Sequence, residues 1–272
     1  MSRSARTAEL IERVAGARVY DLAQPFVNGM PQSPNHPRFH LALSRRHGDV
    51  VRDGGGSAAG EVLVLGGHVG THVDALCHVS QDGLLHGGLR ADEAQRGGRF
   101  SALGIDTVAP FLARGVLLDV ASLHGVTALP GGTVITAGDL EAAAARAGVE
   151  PRPGDVVLVR TGWARHWADA EAFVGLETGV PGPGEEAAGW LASHGIRATG
   201  ADTIAYEALA PGAGHARLPV HRVLLVERGI HIIETLQLED LSRDGVAEFL
   251  FVAAPLKLVG GTGSPLRPLA LV

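Results

Sequence analysis

The densest chemistry in the chain is the stretch Gly67-His68-Val69-Gly70-Thr71-His72-Val73-Asp74-Ala75-Leu76-Cys77-His78. Three histidines and one aspartate fall within the eleven positions from His68 to His78. Imidazole with carboxylate is the usual ligand set for Zn²⁺, and it also suits Mn²⁺ and Fe²⁺. Gly66, Gly67 and Gly70 let the backbone turn sharply, so side chains near in sequence can converge on one point. His72 and Asp74 are two positions apart and share a face where the chain is extended. His68 and His72 stand four apart, a helical spacing, but Gly70 and Thr71 between them favour a turn. One such histidine alone would read as a surface residue. Four ligand-type residues at a glycine-rich strand end point to a metal site.

Short apolar runs supply the elements that would carry this stretch. Arg18–Leu22, Glu61–Leu65, Gly115–Val120, Asp155–Arg160, Val223–Val226, His231–Ile233 and Phe249–Val252 are rich in Val, Ile and Leu. They are too short for free helices and are expected as buried strands. Helices are expected at Ala5–Val14, at Leu140–Ala147 and at Ala187–His194. The second follows a capping box at Thr136-Ala-Gly-Asp139 and stops at Gly148. The third opens with Pro183-Gly-Glu-Glu, which puts acids in the positive first turn, and ends at Gly195. Pro25–Pro37 and Asp53–Gly60 read as irregular segments too short to separate domains. The expectation is one mixed α/β domain over residues 1–272 with few helices.

Composition removes several function classes. With 272 residues, 46% hydrophobic and 19% charged, the chain can bury a core without disulfide or metal staples. A formal net charge of −6 argues against a nucleic-acid partner. No apolar run reaches the roughly 18 residues of a membrane helix. Cys77 is the single cysteine, which forbids an internal disulfide and a multi-cysteine zinc site. Met1 to Gly16 mixes Arg and Glu and lacks the apolar centre of a signal peptide, so a cytoplasmic location is expected. There is no G-x-S-x-G elbow and no Walker loop. Gly182-Pro-Gly184-Glu-Glu-Ala187 has the spacing of a dinucleotide fingerprint, but two acids occupy the place of a pyrophosphate, so it reads as a helix start.

The pattern His68-x-Gly-Thr-His72-x-Asp74-x-x-x-His78 resembles the signature of the metal-dependent cyclase family, which includes bacterial kynurenine formamidases and isatin hydrolases. The resemblance runs nearly end to end. Tyr20-Asp-Leu with Gly29-Met-Pro31 is similar to the family's opening. Gly115–Val120, Pro153–Trp163 and Gly200–Thr203 resemble its middle. His221 to Glu234 resembles its second ligand segment, and Gly260–Pro265 with Arg267-Pro268 its close. The resemblance implies a swivelling β/β/α fold, usually dimeric or tetrameric. It implies metal ligation by His68, His72 and Asp74, with His221 and Glu234 completing one or two sites, and it makes His78 the catalytic acid/base. Two features depart from typical formamidases of the family. Leu76 stands where a proline is common, and the stretch from His221 to Glu234 is one residue longer. Both suggest a sister group with another substrate.

Several residues are weighed beside that set. Glu234 lies in the apolar stretch Ile230–Leu236, where a carboxylate is costly to bury unless paired or metal-bound. His86 is a candidate pocket residue, and Asp202 and Thr203 are candidates for orienting ligands through hydrogen bonds. His231 alternates with Ile232 and is expected to face away from Glu234. Cys77 is expected to be a small buried residue. His36, His40, His47, His124, His166, His194 and His215 read as ordinary. The expected function is a metal-dependent hydrolase that opens an amide, lactam or related acyl bond of a small molecule, with one or two Zn²⁺ or Mn²⁺ ions. The alternatives are a metal-dependent cyclase or dehydratase and a metal-binding protein without catalysis. The family resemblance further implies a homodimer or homotetramer.

Overall fold

The computed structural model describes residues 3–272; Met1 and Ser2, the start of the segment expected to lack a signal peptide, lie outside the described residues. The strands of three residues or more are β1 (Val19–Asp21), β2 (His40–Arg45), β3 (Gly60–Val64), β4 (His72–Asp74), β5 (Phe111–Asp119), β6 (Val156–Arg160), β7 (Ala198–Ala201), β8 (His231–Glu234), β9 (Glu248–Ala253), β10 (Gly263–Pro265) and β11 (Leu269–Leu271). Nine of them form one sheet in the order β1-β11-β9-β5-β6-β7-β8-β4-β10. The centre, β5 to β8, is parallel. Both flanks are antiparallel. The expected mixed α/β architecture with few helices is what the chain adopts.

Sequence explains the centre. All five residues of β6 are buried, as a parallel strand covered on both faces requires. Val156 and Leu158 pack with Val73, Leu117 and Ile233 on one side of the sheet. Val157 and Val159 pack with Val116, Leu118 and Ile232 on the other, under Leu140, Ala143, Ala188 and Leu191. Those four residues come from helices α2 (Ala137–Ala147) and α3 (Glu185–Ser193), which follow α1 (Arg3–Gly16) in the chain. The capping box of α2 is present. The Thr136 hydroxyl accepts from the Asp139 amide, the Asp139 carboxylate accepts from the Thr136 amide, and Gly148 closes the helix in the left-handed region.

Two expected strands differ. Glu61–Leu65 is extended but not buried: β3 pairs only with β2, and Val62, Leu63 and Val64 are each more than half exposed. Its apolar run therefore coats a free ribbon instead of a core strand. Val223–Val226 is helical, within a π-helical segment at Arg222–Arg228. Pro219 opens the preceding turn and Gly229 ends the segment in the left-handed region. A short apolar run does not by itself separate a strand from a buried helix, and here the flanking Pro and Gly decide. Strands β2, β4, β7, β10 and β11 lie outside the runs expected as strands. β4, β7 and β10 are three or four residues long and carry Gly, Asp, His or Pro, so they give no apolar run to see; β11 (Leu-Ala-Leu) is apolar but only three residues long, and β2 is exposed along its whole length.

The site is set by β4 and β8. Their antiparallel register places Glu234 opposite His72, and Ile233 opposite Val73. Residues opposite each other on one sheet face are in contact range, so one register fixes a carboxylate beside an imidazole. The turn into β4 depends on Gly70, whose φ is +65° and where a Cβ would lie 2.4 Å from the Phe26 ring. Gly70→Ala combines left-handed strain with overpacking, a destabilisation of about 2–5 kcal/mol. Its melting temperature should fall by ~4 °C or more; a variant that melts with the wild type would show that the turn is not built as described.

Candidate metal centre

His72 and Asp74 lie two apart on β4 and are buried, as are Glu234 at the end of β8 and His221 at the start of the helical segment. Four side chains from three elements converge. His72 Nε2 is 3.6 Å from Asp74 Oδ1 and 3.4 Å from Glu234 Oε2. His221 Nε2 is 3.6 Å from Asp74 Oδ2 and 3.2 Å from Glu234 Oε1. Each ring is tied back through its other nitrogen. His72 Nδ1–H donates to the Gly70 carbonyl at 2.7 Å, and His221 Nδ1–H donates to Glu207 Oε1 at 2.7 Å.

This donor set fits a divalent cation. Burial holds His72 below the ordinary histidine pKa, so its Nε2 carries a lone pair, and that lone pair faces two carboxylates. Asp74 Oδ2 is buried and has no hydrogen-bond partner among the described residues. The His72 lone pair and the carboxylate oxygens at 3.4–3.6 Å from it repel unless positive charge lies among them. Bonds of about 2.0–2.2 Å in tetrahedral array put ligand atoms roughly 3.3–3.6 Å apart; His72 Nε2 stands at that range from Asp74 Oδ1 and Glu234 Oε2, and His221 Nε2 stands near the other oxygen of each carboxylate. His72, Asp74 and Glu234 form one group whose ligand atoms all lie within 4.8 Å of one another, and His68, Asp74 and His78 form a second.

The second group is built differently. His68 Nδ1–H donates to Asp74 Oδ1 at 2.7 Å, and Thr262 Oγ1 lies 2.9 Å from its Nε2. Both ring nitrogens are thus engaged within the protein. A Cβ at residue 263 would come within 2.5 Å of this ring, so Gly263 is what lets β10 pass against it. The His68 ring stacks on His78 at 3.8 Å between centroids, and on its other side His36 stacks at 5.4 Å. His78 is half-buried and makes no side-chain hydrogen bond among the described residues.

Electrostatics follow from this crowding. Burial pushes Asp74 up, but His78, His68 and His72 outweigh it and hold the carboxyl below its usual range. Burial pushes the His78 pKa down to about 3, only partly opposed by Asp74. Burial also lowers His221, yet Glu207, Glu234 and Asp74 together raise it to about 10. Burial lowers His36 and His215. Cys77 is buried, as expected, its thiol points at the Gly261 carbonyl, and burial pushes its pKa up to about 11.

The structure brings together His68, His72, Asp74, His78, His221 and Glu234. It does not bring the other three candidates into contact with the ligands. Asp202 accepts from the Thr161 amide and hydroxyl and from the Gly162 amide, so it shapes that turn. Thr203 accepts the Thr235 amide and donates its hydroxyl to the Tyr206 carbonyl. His86 bonds the Val226 carbonyl through Nδ1, and its ring lies against Gly229, so it braces the helical segment. His231 faces away from Glu234 and bonds the Asp74 backbone carbonyl. Three contributors were missed. His36 carries no spacing signal in its proline-flanked segment, and neither does His215, whose Nδ1 is 3.5 Å from Ser33 Oγ. Glu207 did offer a signal: it is an acid inside the apolar run Ile204–Leu209, like Glu234 in its own run.

The family model described as "Putative cyclase" matches residues 20–208. The isatin hydrolase of Roseibium aggregatum is 31% identical over 214 residues, covering 77% of this chain and 73% of that protein. The kynurenine formamidase of Bacillus cereus is 27% identical over 247 residues, covering 91% and 94%. A crystal structure of a novel cyclase superposes with a TM-score of 0.85 at 30% identity, over 99% of this chain and 93% of that one.

The charge on His221 has a consequence for protein treated with a chelator. A histidine whose pKa is raised on folding stabilises the fold fully below its unfolded value of about 6.5. That contribution is lost as pH rises through about 10. The melting temperature of the chelator-treated protein should fall between about pH 7 and 10, and His221→Gln should flatten the fall. A rise over that window would contradict the assignment.

Proposed function

This chain belongs to the cyclase family, and from that premise we propose that it is a metal-dependent hydrolase opening an amide, lactam or related acyl bond of a small molecule. The observation that carries the reading is the convergence of His72 Nε2 and His221 Nε2 on Asp74 and Glu234, with Asp74 Oδ2 left without a partner. Relatives named as isatin hydrolase and kynurenine formamidase support the bond type. His72, Asp74, His221 and Glu234 would hold the ion, with His68 at its edge. A divalent cation bound there supplies a Lewis acid for the carbonyl oxygen and lowers the pKa of water to about 7. The imidazole and carboxylate donors suit Zn²⁺ or Mn²⁺. Two groups sharing Asp74 leave room for one ion or two.

The chain's own residues divide the remaining work. His78 makes no side-chain hydrogen bond among the described residues, so its ring nitrogens are free to take and give a proton. It takes the proton from the attacking water and returns it to the leaving nitrogen as the C–N bond breaks. His68 and His36 stack behind it and hold the ring plane. Asp74, fixed by the His68 Nδ1–H, keeps its charge through the cycle.

The setting belongs to the same proposal. A single domain over 1–272 accords with one sheet that takes β1 and β11 from opposite ends of the chain. No described helix is long and apolar enough to cross a membrane, and a cytoplasmic location is proposed. A homodimer or homotetramer is proposed as well; the exposed apolar ribbon β2–β3 is a face that such an assembly could cover.

Turnover of a panel of formanilides and lactams, with and without added Zn²⁺ or Mn²⁺, tests the reaction. Wild type should be active only with metal. His72→Ala should lose metal and activity together. His78→Ala should keep its metal and lose about 10²–10⁴-fold in rate. Loss of metal from His78→Ala would make that residue a ligand, and a wild type inert towards the whole panel with full metal content would refute the hydrolase.

A further inference from the structure

Glu207 is 1% exposed, and both its oxygens are used on the start of the helical segment that carries His221. Oε1 accepts the His221 amide at 2.9 Å and the His221 Nδ1–H at 2.7 Å; Oε2 accepts the Val220 amide at 3.1 Å. One carboxylate therefore grips both the backbone and the ring of the same histidine. We propose that Glu207 is a positioning residue for the metal: it fixes His221 with Nδ1 protonated, so that Nε2 is presented to the space beside Asp74 and Glu234. The inference rests on the reading of that cluster as a metal centre.

The surrounding backbone shows that this placement is enforced. Tyr206, directly before Glu207, is fully buried with φ +58°, a conformation disfavoured for a bulky side chain. Its hydroxyl shares a 2.8 Å hydrogen bond with Thr199 Oγ1, and Thr199 donates to the Val157 carbonyl. The left-handed residue is thus pinned to β7 and β6. Thr235, directly after Glu234, has φ +59°, and its carbonyl accepts the Thr71 hydroxyl directly before His72. Two of the three buried acids that face His221, Glu207 and Glu234, are aimed by a strained neighbour. Strain of this kind persists where surrounding structure over-determines it, and it gathers at functional sites.

An imidazole free to exchange tautomers would present Nε2–H to the carboxylates part of the time, and that form cannot ligate. A carboxylate on Nδ1 removes it and makes Nε2 a stronger donor. A purely structural Glu207 would only cap the turn at Pro219–His221. The two roles separate in a double-mutant cycle, because positioning acts through His221 and capping does not.

Zn²⁺ affinity, measured on the full chain by competition with a chromogenic chelator, reads the difference. Glu207→Gln should weaken Zn²⁺ binding about 10–100-fold. In the His221→Ala background the same substitution should change affinity by less than about threefold. Unchanged affinity in the first case, or an equal loss in both backgrounds, overturns the proposal. A wild type that binds no Zn²⁺ overturns the metal-centre reading as well, which is a separate result. If Glu207→Gln does not fold, imidazole ¹⁵N shifts of wild type decide, assigned by comparison with His221→Ala. His221 should be protonated at Nδ1 both before and after Zn²⁺ addition, and an unprotonated Nδ1 overturns the proposal.

Discussion

Asp74 and Glu234 sit on neighbouring antiparallel strands, nearly out of reach of solvent, with the Nε2 atoms of His72 and His221 3.2–3.6 Å from their oxygens. Removing two carboxylates from water costs several kcal/mol each, and mutual repulsion adds to it. The imidazoles offset little of this while their lone pairs face the same space. Positive charge at that point does, whether as a proton on His221 or as a divalent cation. Metal binding and stability are therefore coupled here, and the surrounding structure can be understood as what holds four like-minded donors together.

Each element contributes a defined part of that restraint. The parallel strands β5 to β8, apolar on both faces, give a rigid floor. The β4–β8 register sets His72 against Glu234. Gly70 and Gly263 let the chain pass Phe26 and His68 at distances no side chain would allow. The π-helical segment brings His221 in from the far side, and His86 and Glu207 hold its two ends. Around the rim the His36–His68–His78 stack keeps His78 oriented without tying up its nitrogens.

Much of the site was legible because its ligands lie in one short, unusual stretch. His68 to His78 declares itself by residue type and spacing, and Glu234 by being an acid in an apolar run. His221 was reached through family resemblance alone, since nothing local marks it. Glu207 carries the same mark as Glu234, an acid in an apolar run, but its partner His221 lies fourteen residues away; His36 carries none, because stacking leaves no trace in spacing. For the fold, runs such as Val156–Arg160 were readable from hydrophobicity, and the α2 cap from its four-residue pattern. Val223–Val226 was not, because burial makes strand and helix equally apolar there. The exposed ribbon misled for the opposite reason: Val62, Leu63 and Val64 are apolar without being core. Strand β4 was hidden inside the motif, where chemistry and not hydrophobicity chose the residues.

The central claim is that one cation site is formed jointly by β4, β8 and the helical segment. Anomalous diffraction from crystals grown with Zn²⁺, recorded on both sides of the zinc edge, tests it directly. An anomalous peak is expected within bonding distance of His72 Nε2, His221 Nε2, Asp74 and Glu234. A peak bound only by His68 and His78, or none among these residues at full Zn²⁺ occupancy elsewhere, would contradict it.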